Sequence, residues 1–126
     1  MSTGAANRRK GAQFETDLVK YFRGKGWDTE RMRLSGNLDE GDLVTRLTRE
    51  TRLVIEAKSG KNIRPRFWYA DEAVPEARNY ASRRDLLEEE VRPVLVMKEH
   101  NKPIGKSLVT ISLDDFAYLL QEAFGD

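Results

Sequence analysis

The chain has no cysteine, and its only histidine is His100. The absence of cysteine excludes disulfide bonds and thiolate metal sites. His100 lies next to Asn101 in a predicted turn, so we expect its side chain on the surface. A serine–histidine catalytic pair, a histidine-rich metal site and a nuclease of the histidine–metal finger type are therefore not expected.

Long apolar runs and nucleotide-binding loops are also missing. No stretch approaches the roughly 20 apolar residues that a membrane-spanning helix needs, and residues 1–7 lack the apolar centre of a signal peptide. We therefore expect a cytoplasmic protein, in a bacterial, archaeal or phage-infected cell, with no membrane partner. No Walker A loop is present, so nucleotide-driven translocation is not indicated.

Charge is abundant and unevenly distributed along the 126 residues, of which 34% are charged and 39% hydrophobic. This length and composition fit one soluble domain, over residues 1–126, with a real core. Residues 1–33 contain eight Lys or Arg against four Asp or Glu, and residues 58–69 contain four Lys or Arg and no acid. Residues 34–57, between them, have a net charge of −2. Positive charge thus flanks an acidic segment, which is typical of a phosphate-binding surface around a metal site, although ordinary solvated charge gives the same counts.

The acidic segment places two carboxylates on two short apolar runs. Asp42 precedes one run, and Glu56 and Lys58 end the other, with Ala57 between them. Residues two apart on a strand share a face, so Glu56 and Lys58 point to the same side. If the runs pair as a hairpin across residues 48–51, Asp42 meets Glu56 at its open end. Two carboxylates and an ammonium on a rigid strand pair can hold a divalent metal and activate a water.

A third carboxylate lies on the first predicted helix, over residues 10–23, which Gly24 and Gly26 end. Glu15 shares its helical face with apolar residues three, four and seven positions later: Leu18, Val19 and Phe22. A carboxylate inside an apolar stripe is costly unless something pairs with it. A metal-bound water or a lysine would serve, and a plain salt bridge to a nearby lysine is the alternative.

The other patterns predict the order α-β-β-β-α-β-β-α, a mixed sheet with helices packed on it. Residues 1–8 are small and polar and are expected to be disordered. The predicted elements after the first helix are a loose strand at 27–34, strands at 42–48 and 52–58, a basic-aromatic connection at 59–69, a helix at 70–90, strands at 93–97 and 107–111, and a final helix that Ser112 caps together with Asp115.

The acid, spacer and Glu-x-Lys arrangement resembles the PD-(D/E)xK nuclease superfamily. Two further motifs, Lys10-Gly11-Ala12-Gln13-Phe14-Glu15 and Arg31-Met32-Arg33-Leu34-Ser35-Gly36, and the order helix, strand, strand, strand make residues 8–60 similar to the archaeal-type Holliday junction resolvases, small nucleases that also occur in phages. The resemblance implies a restriction-endonuclease-like α/β fold with a mixed central sheet flanked by helices. It also implies a metal-dependent endonuclease acting on branched DNA, in DNA recombination and repair.

The resemblance further implies roles for individual residues. Asp42, Glu56, the backbone carbonyl of Ala57 and Glu15 would bind Mg²⁺ or Mn²⁺. Lys58 would orient or help deprotonate the attacking water, or stabilise the charged phosphate. Ser35 matches a serine that precedes the catalytic aspartate, and either hydrogen-bonds in the active site or is a plain turn residue.

DNA contacts are expected from the basic segments. The candidates are Arg8, Arg9, Lys10, Arg31, Arg33, Lys61, Arg64 and Arg66, with Trp68 stacking on unpaired bases. Arg64 and Arg66 lie beside three consecutive aromatics, Phe67-Trp68-Tyr69, which cannot all face one way. At least one of these rings therefore belongs to the core or to a dimer interface.

The chain also departs from the superfamily pattern. No glutamine follows the signature on the next helix, and Gly41 stands where the namesake motif has proline. The function predicted first is a Holliday junction resolvase, working as a homodimer because two symmetric cuts need two sites. The alternatives are another small PD-(D/E)xK nuclease, acting on flaps, single strands or duplex, and a non-catalytic DNA-binding module on the same fold.

Overall fold

The computed structural model describes residues 4–33, 39–62 and 64–125. The main elements are α1 (Gly4–Gly24), β1 (Asp28–Arg31), β2 (Leu43–Arg46), β3 (Arg52–Lys58), α2 (Pro65–Trp68), α3 (Val74–Arg83), β4 (Val91–Met97), β5 (Leu108–Thr110) and α4 (Leu113–Phe124). A π-helical turn, Tyr69–Ala73, joins α2 to α3, and 3-10 turns occupy Glu88–Glu90 and Ile104–Lys106. With residues 65–83 taken as one helical segment, this is the predicted order α-β-β-β-α-β-β-α.

The five strands form one mixed sheet in the order β1-β2-β3-β4-β5, with β3 at its centre. The pairs β1–β2, β2–β3 and β4–β5 are antiparallel, whereas β3 and β4 are parallel and are connected through α2 and α3. The predicted hairpin is confirmed, with Leu43 opposite Ile55 and Arg46 opposite Arg52. The short β2–β3 connection therefore brings the start of β2 and the end of β3 to the same edge.

Two apolar clusters, one on each face of the sheet, show which way the strand side chains point. Ile55 packs with Phe14 and Leu18 of α1, whereas Val54 packs with Ala77 and Tyr80 of α3. Because side chains alternate along a strand, Glu56 and Lys58 share the face of Val54 and point towards α2 and α3. Packing of the apolar side chains of β3 thus places Glu56 and Lys58 on the sheet face that the helical segment 65–83 covers.

Two helices begin earlier than the sequence predicts. The first starts at Gly4, so residues 4–8, which we expected to be disordered, are helical; residues 1–3 lie outside the described part. The alanines and arginines of this segment favour helix, and no proline interrupts it. The helix predicted from residue 70 begins at Pro65, which suits the first helical position because proline lacks the N–H that would be unpaired there. It ends at Arg83 and not near residue 90.

The last helix is capped as predicted and is held to the sheet by polar contacts. The Ser112 hydroxyl accepts a hydrogen bond from the backbone N–H of Asp115 (3.0 Å). Asp115 binds Arg92 of β4 at 2.7 Å, and the Tyr118 hydroxyl lies 3.0 Å from that of Thr51. Within residues 4–33, 39–62 and 64–125, no helix is both long enough and apolar enough to cross a membrane.

Candidate metal centre

The structure brings Asp42 and Glu56 together at the open end of the hairpin. The Asp42 backbone N–H donates to the carbonyl of Ile55 (2.9 Å), and Asp42 Oδ2 accepts from the Ala57 N–H (2.8 Å). Gly41, just before it, has φ +93°, a conformation that side-chain-bearing residues rarely adopt. A Cβ at position 41 would lie 2.6 Å from Val54 Cγ1. The tight turn thus fixes the Asp42 carboxylate against β3.

Glu56 is a buried carboxyl, with 5% of its surface exposed. Burial raises its pKa far above the usual range, and its contacts with Glu76 and Asp42 raise the pKa further. Its Oε2 atom accepts no hydrogen bond within the described residues. A buried oxygen without a partner costs free energy, and a cation or a proton at this point relieves that cost.

Two further carboxylates, which the sequence analysis did not single out, complete an acidic cluster of Asp39, Glu56 and Glu76. One ligand oxygen from each lies within 4.8 Å of the others. Glu76 comes from α3 and is buried. Burial raises the pKa of the Glu76 carboxyl to about 8. The hydrogen bond with Glu56 lowers this pKa, whereas the hydrogen bond with Asp39 and the charge of Asp39 raise it. The sequence held a signal for Glu76, because it shares a helical stripe with the buried Ala73 and Tyr80, the same argument that singled out Glu15.

The loop that carries Asp39 and Asp42 is fastened to α3 and its C-terminal end. Glu40, which is buried, forms ion pairs with Arg83 (2.8 Å) and Arg84 (2.7 Å). The Asn79 side chain donates to the carbonyl of Asp39 (2.9 Å). These contacts place residues 39–42 and the helix that supplies Glu76 in one rigid arrangement.

Lys58 lies at the edge of the site and is already paired. Its Nζ atom is 3.0 Å from Glu72 Oε1 and 5.3 Å from the centre of the Trp68 ring. Burial acts to lower the pKa of the Lys58 ammonium, but the hydrogen bond to Glu72 and the charges of Glu56, Glu72 and Asp42 raise it overall. Lys58 is therefore a protonated donor near the carboxylates, which suits orienting a water or stabilising negative charge.

Glu15 approaches the same region from α1. Its Oε1 atom is 3.4 Å from Arg31 of β1, so its partner is an arginine and not the lysine considered from the sequence. Burial raises its pKa, the Asp42 charge raises it further, and Arg31 acts in the opposite direction. The charge of Asp42 thus raises the pKa of Glu15, although Glu15 is not a member of the acidic cluster of Asp39, Glu56 and Glu76.

The predicted DNA-binding residues fall into exposed and covered groups. Those with exposed side chains are Arg8, Arg9, Lys10, Arg31, Arg33, Lys61, Arg64 and Arg66. Trp68 is partly buried beneath Lys58 and packs against Leu95 and Met97, so it is not a free stacking surface. Phe67 is the exposed ring of the aromatic run. Ser35 lies outside the described residues.

A basic cleft of about 690 Å³ joins segments that are distant in sequence. Its lining includes Lys10 of α1, Lys61 after β3, and Lys98, His100 and Lys102 after β4. His100 is exposed, as predicted. The sequence analysis did not predict that Lys98, His100 and Lys102 line this cleft. The turn after β4 lies beside the end of β3 only because the two strands pair in parallel, with Lys58 opposite Met97.

Comparison with known proteins gives a match over most of the chain. A family model described as archaeal Holliday junction resolvase (Hjc) matches residues 6–112, which extends the resemblance seen at residues 8–60. Twelve chains of solved structures match. One is Hjc, a Holliday junction resolvase from the archaeal hyperthermophile Archaeoglobus fulgidus, with a TM-score of 0.53 and 23% identity over 81% of this chain and 88% of that chain. That likeness shows a shared fold. No curated protein sequence matches the chain.

Proposed function

We propose a cofactor, a set of catalytic residues and an assembly for this chain on the premise that it belongs to the archaeal Holliday junction resolvase family and is therefore a Holliday junction resolvase. The proposed reaction is Mg²⁺- or Mn²⁺-dependent hydrolysis of phosphodiester bonds at four-way DNA junctions. The proposed place of action is the cytoplasm of a bacterial, archaeal or phage-infected cell. The observation that carries the proposal is the pairing of Asp42 with the buried, incompletely partnered Glu56 at the open end of the hairpin.

The side chains present fit a hard divalent cation. Carboxylate and carbonyl oxygens are the ligands that Mg²⁺ prefers, and Glu56 Oε2 is a buried oxygen with no described hydrogen-bond partner. Asp42, Glu56 and the Ala57 carbonyl would hold the cation, with Glu15 at the edge. When bound, the cation supplies an activated water and neutralises charge on the phosphate.

Lys58 has the role of a protonated donor in this proposal. Its raised pKa keeps it charged near neutral pH, so it does not act as the general base. In the described structure it is bound to Glu72, and a DNA phosphate competes for the same ammonium. We propose that Lys58 leaves Glu72 when the phosphate arrives and then orients the attacking water or stabilises the phosphate charge.

The substrate surface is formed by exposed cations around the site. Lys10 and Lys61 line the basic cleft, and Arg64 and Arg66 are exposed at the start of α2. Phosphate contacts of this kind supply sequence-independent affinity, which suits recognition of a DNA shape. Phe67, the exposed ring beside Arg66, is the candidate for stacking on unpaired bases at the junction.

The proposed working unit is a homodimer. Phe116 (50% exposed), Leu120 (45%) and Phe124 (84%) leave an apolar face of α4 uncovered. Leu108 and Val109 extend exposed apolar surface to the edge strand β5. By contrast, Trp68 and Tyr69 pack against the protein's own core, so the α4–β5 surface is the better candidate interface. A two-fold dimer gives two catalytic sets for two symmetric cuts.

Light scattering at micromolar protein, with and without junction DNA, tests the assembly. We expect a dimer, and we expect the double variant Phe116→Ser/Leu120→Ser to shift towards monomer while keeping its fold. A wild-type protein that is monomeric under both conditions would contradict the dimer and favour a nuclease making single cuts.

The enzymatic proposal is tested with a labelled four-way junction and a matched linear duplex, with Mg²⁺ and with EDTA. We expect Mg²⁺-dependent cleavage of the junction in preference to the duplex. Asp42→Asn, Glu56→Gln and Lys58→Ala should each abolish cleavage but leave junction binding measurable. Glu89→Gln, which changes an exposed acid in the 3-10 turn, is the matched control and should cleave normally. Wild-type turnover by Asp42→Asn or Glu56→Gln would contradict the metal-site assignment.

A further inference from the structure

The helical segment 65–83 presents two glutamates to the two charged side chains of β3. Glu72 and Glu76 are four residues apart, a rise of about 6 Å along a helix, and Glu56 and Lys58 are two residues apart, a rise of about 6.6 Å along a strand. Because the two spacings are similar, the pairs lie in register, with Glu76 against Glu56 and Glu72 against Lys58. Glu72 is thus the helical side chain that binds the lysine of the nuclease signature.

A wide helical turn carries Glu72. The segment Tyr69–Ala73 is π-helical, and the N–H of Val74 donates to the carbonyl five residues earlier. Pro75 follows directly, and because proline lacks an N–H and crowds the carbonyl four residues before it, the regular α-helical hydrogen bonds are interrupted here. The last residue of the turn is 1% exposed and packs with Leu95 of the sheet. The turn is therefore anchored, and π-helical turns of this kind are frequent at functional sites.

Lys58 is held from two sides by this segment. Its Nζ atom donates to Glu72 Oε1 at 3.0 Å and lies 5.3 Å from the centre of the Trp68 ring. The side chains of Lys58 and Glu72 are 26% and 33% exposed, so their contact is partly open to solvent. A DNA phosphate offers the ammonium the same kind of charged oxygen acceptor as a carboxylate does. Phosphate and Glu72 therefore compete for one donor.

We propose that Glu72 is a positioning residue that occupies the phosphate's place on Lys58 until DNA displaces it. This inference rests on the proposed nuclease function and deepens it, because it assigns control of phosphate binding to a residue outside the nuclease signature. Junction binding then includes the cost of breaking the Lys58–Glu72 contact and of leaving a free carboxylate near the phosphate. Once the phosphate is bound, Lys58 contacts it whether or not residue 72 is charged. Removing the charge should therefore strengthen binding and leave the cleavage step unchanged.

The junction affinity and cleavage kinetics of Glu72→Gln test the proposal. Fluorescence anisotropy with a labelled four-way junction in EDTA gives the affinity, and single-turnover cleavage with Mg²⁺ gives the half-saturating protein concentration and the maximal rate. We expect binding about 3- to 10-fold tighter than in the wild type, an equal fall in the half-saturating concentration, and a maximal rate within about 2-fold. Glu72→Ala, which also removes the acceptor, should tighten binding at least as much. Asp71→Asn changes an exposed acid in the same turn and is the matched charge control, with an expected change in affinity below about 2-fold.

A double-mutant cycle with Lys58→Ala separates the proposed contact from general charge repulsion. In the Lys58→Ala protein, Glu72→Gln should tighten junction binding no more than Asp71→Asn does. A gain that persists without the lysine overturns the proposal, and so does an affinity of the variants at position 72 that equals that of Asp71→Asn. A large fall in the maximal rate would also overturn it, because Glu72 would then act in the cleavage step. Circular dichroism checks folding, and if one variant at position 72 is unfolded, the other decides the question.

The anisotropy measurement does not depend on DNA cleavage. A lysine-dependent gain in affinity, in a protein that leaves junctions uncut, would contradict the proposed reaction and keep the role of Glu72. Normal junction cleavage with no gain in affinity would do the reverse.

Discussion

The metal-free protein should become less stable as pH rises, and Glu76→Gln should weaken that dependence. In the folded state burial raises the pKa of Glu76 to about 8, whereas its ordinary value is 4.5. Below pH 4.5 the carboxyl is protonated in both the folded and the unfolded chain. Between pH 4.5 and about 8, only the folded chain keeps the proton, so rising pH favours unfolding. Above about pH 8 this contribution no longer changes.

The size of the effect follows from one proton. Each pH unit across this window lowers the free energy of unfolding by about 1.4 kcal/mol for each proton that only the folded state holds. Glu76→Gln removes one such proton and leaves Glu56 in place. Between pH 5 and pH 7, the variant should therefore lose roughly 2–3 kcal/mol less stability than the wild type. Mg²⁺ bound at the proposed site would replace the proton, so the two slopes should converge at saturating Mg²⁺.

Urea denaturation at pH 5, 6 and 7, with EDTA and with Mg²⁺, measures these slopes directly. Glu89→Gln serves as the control and should follow the wild type at every pH. Parallel slopes for wild type and Glu76→Gln in EDTA would refute the reasoning, since they would mean that Glu76 carries no extra proton in the folded state. Slopes that differ equally with and without Mg²⁺ would refute the expectation that a bound cation replaces the proton.

Three further outcomes are expected. Junction binding should weaken with salt, and replacing both Arg64 and Arg66 by alanine should reduce the slope of log K against log salt by about 2, as measured by fluorescence anisotropy; an unchanged slope would exclude this segment from the DNA interface. Glu40→Gln should lower the free energy of unfolding by about 1–3 kcal/mol, because it removes the negative charge and one of the two acceptor oxygens that bind the arginines, and should weaken Mn²⁺ binding; unchanged Mn²⁺ affinity would show that the loop is held by other contacts. Trp68→Ala removes the ring beside Lys58 and should slow single-turnover cleavage about 2- to 5-fold without weakening DNA binding; an equal loss in both would indicate a DNA contact instead.

Local sequence patterns were sufficient to predict the β2–β3 hairpin and the closeness of Asp42 and Glu56. Asp42 and Glu56 are joined by a short connection, and alternation along β3 fixes their common face. Glu76 could not be placed in the same way, because it reaches Glu56 only after α3 packs on the sheet and β4 pairs in parallel with β3. The superfamily pattern has a glutamine on this helix, none occurs here, and Glu76 was not among the predicted site residues. The sequence shows that Glu76 lies in a buried stripe of the helix, but it does not show that this stripe faces Glu56.

The turn before Asp42 explains a departure noted in the sequence. Proline fixes φ near −65° and has no N–H, whereas Gly41 has φ +93° and donates its N–H to Asp39 (2.9 Å). A proline here, as in the namesake motif, would lose both the backbone angle and that hydrogen bond. A single substitution of Gly41 by the proline of the namesake motif is therefore not compatible with this turn. The loop would have to follow a different path into β2, one that does without the hydrogen bond from the Gly41 N–H to Asp39.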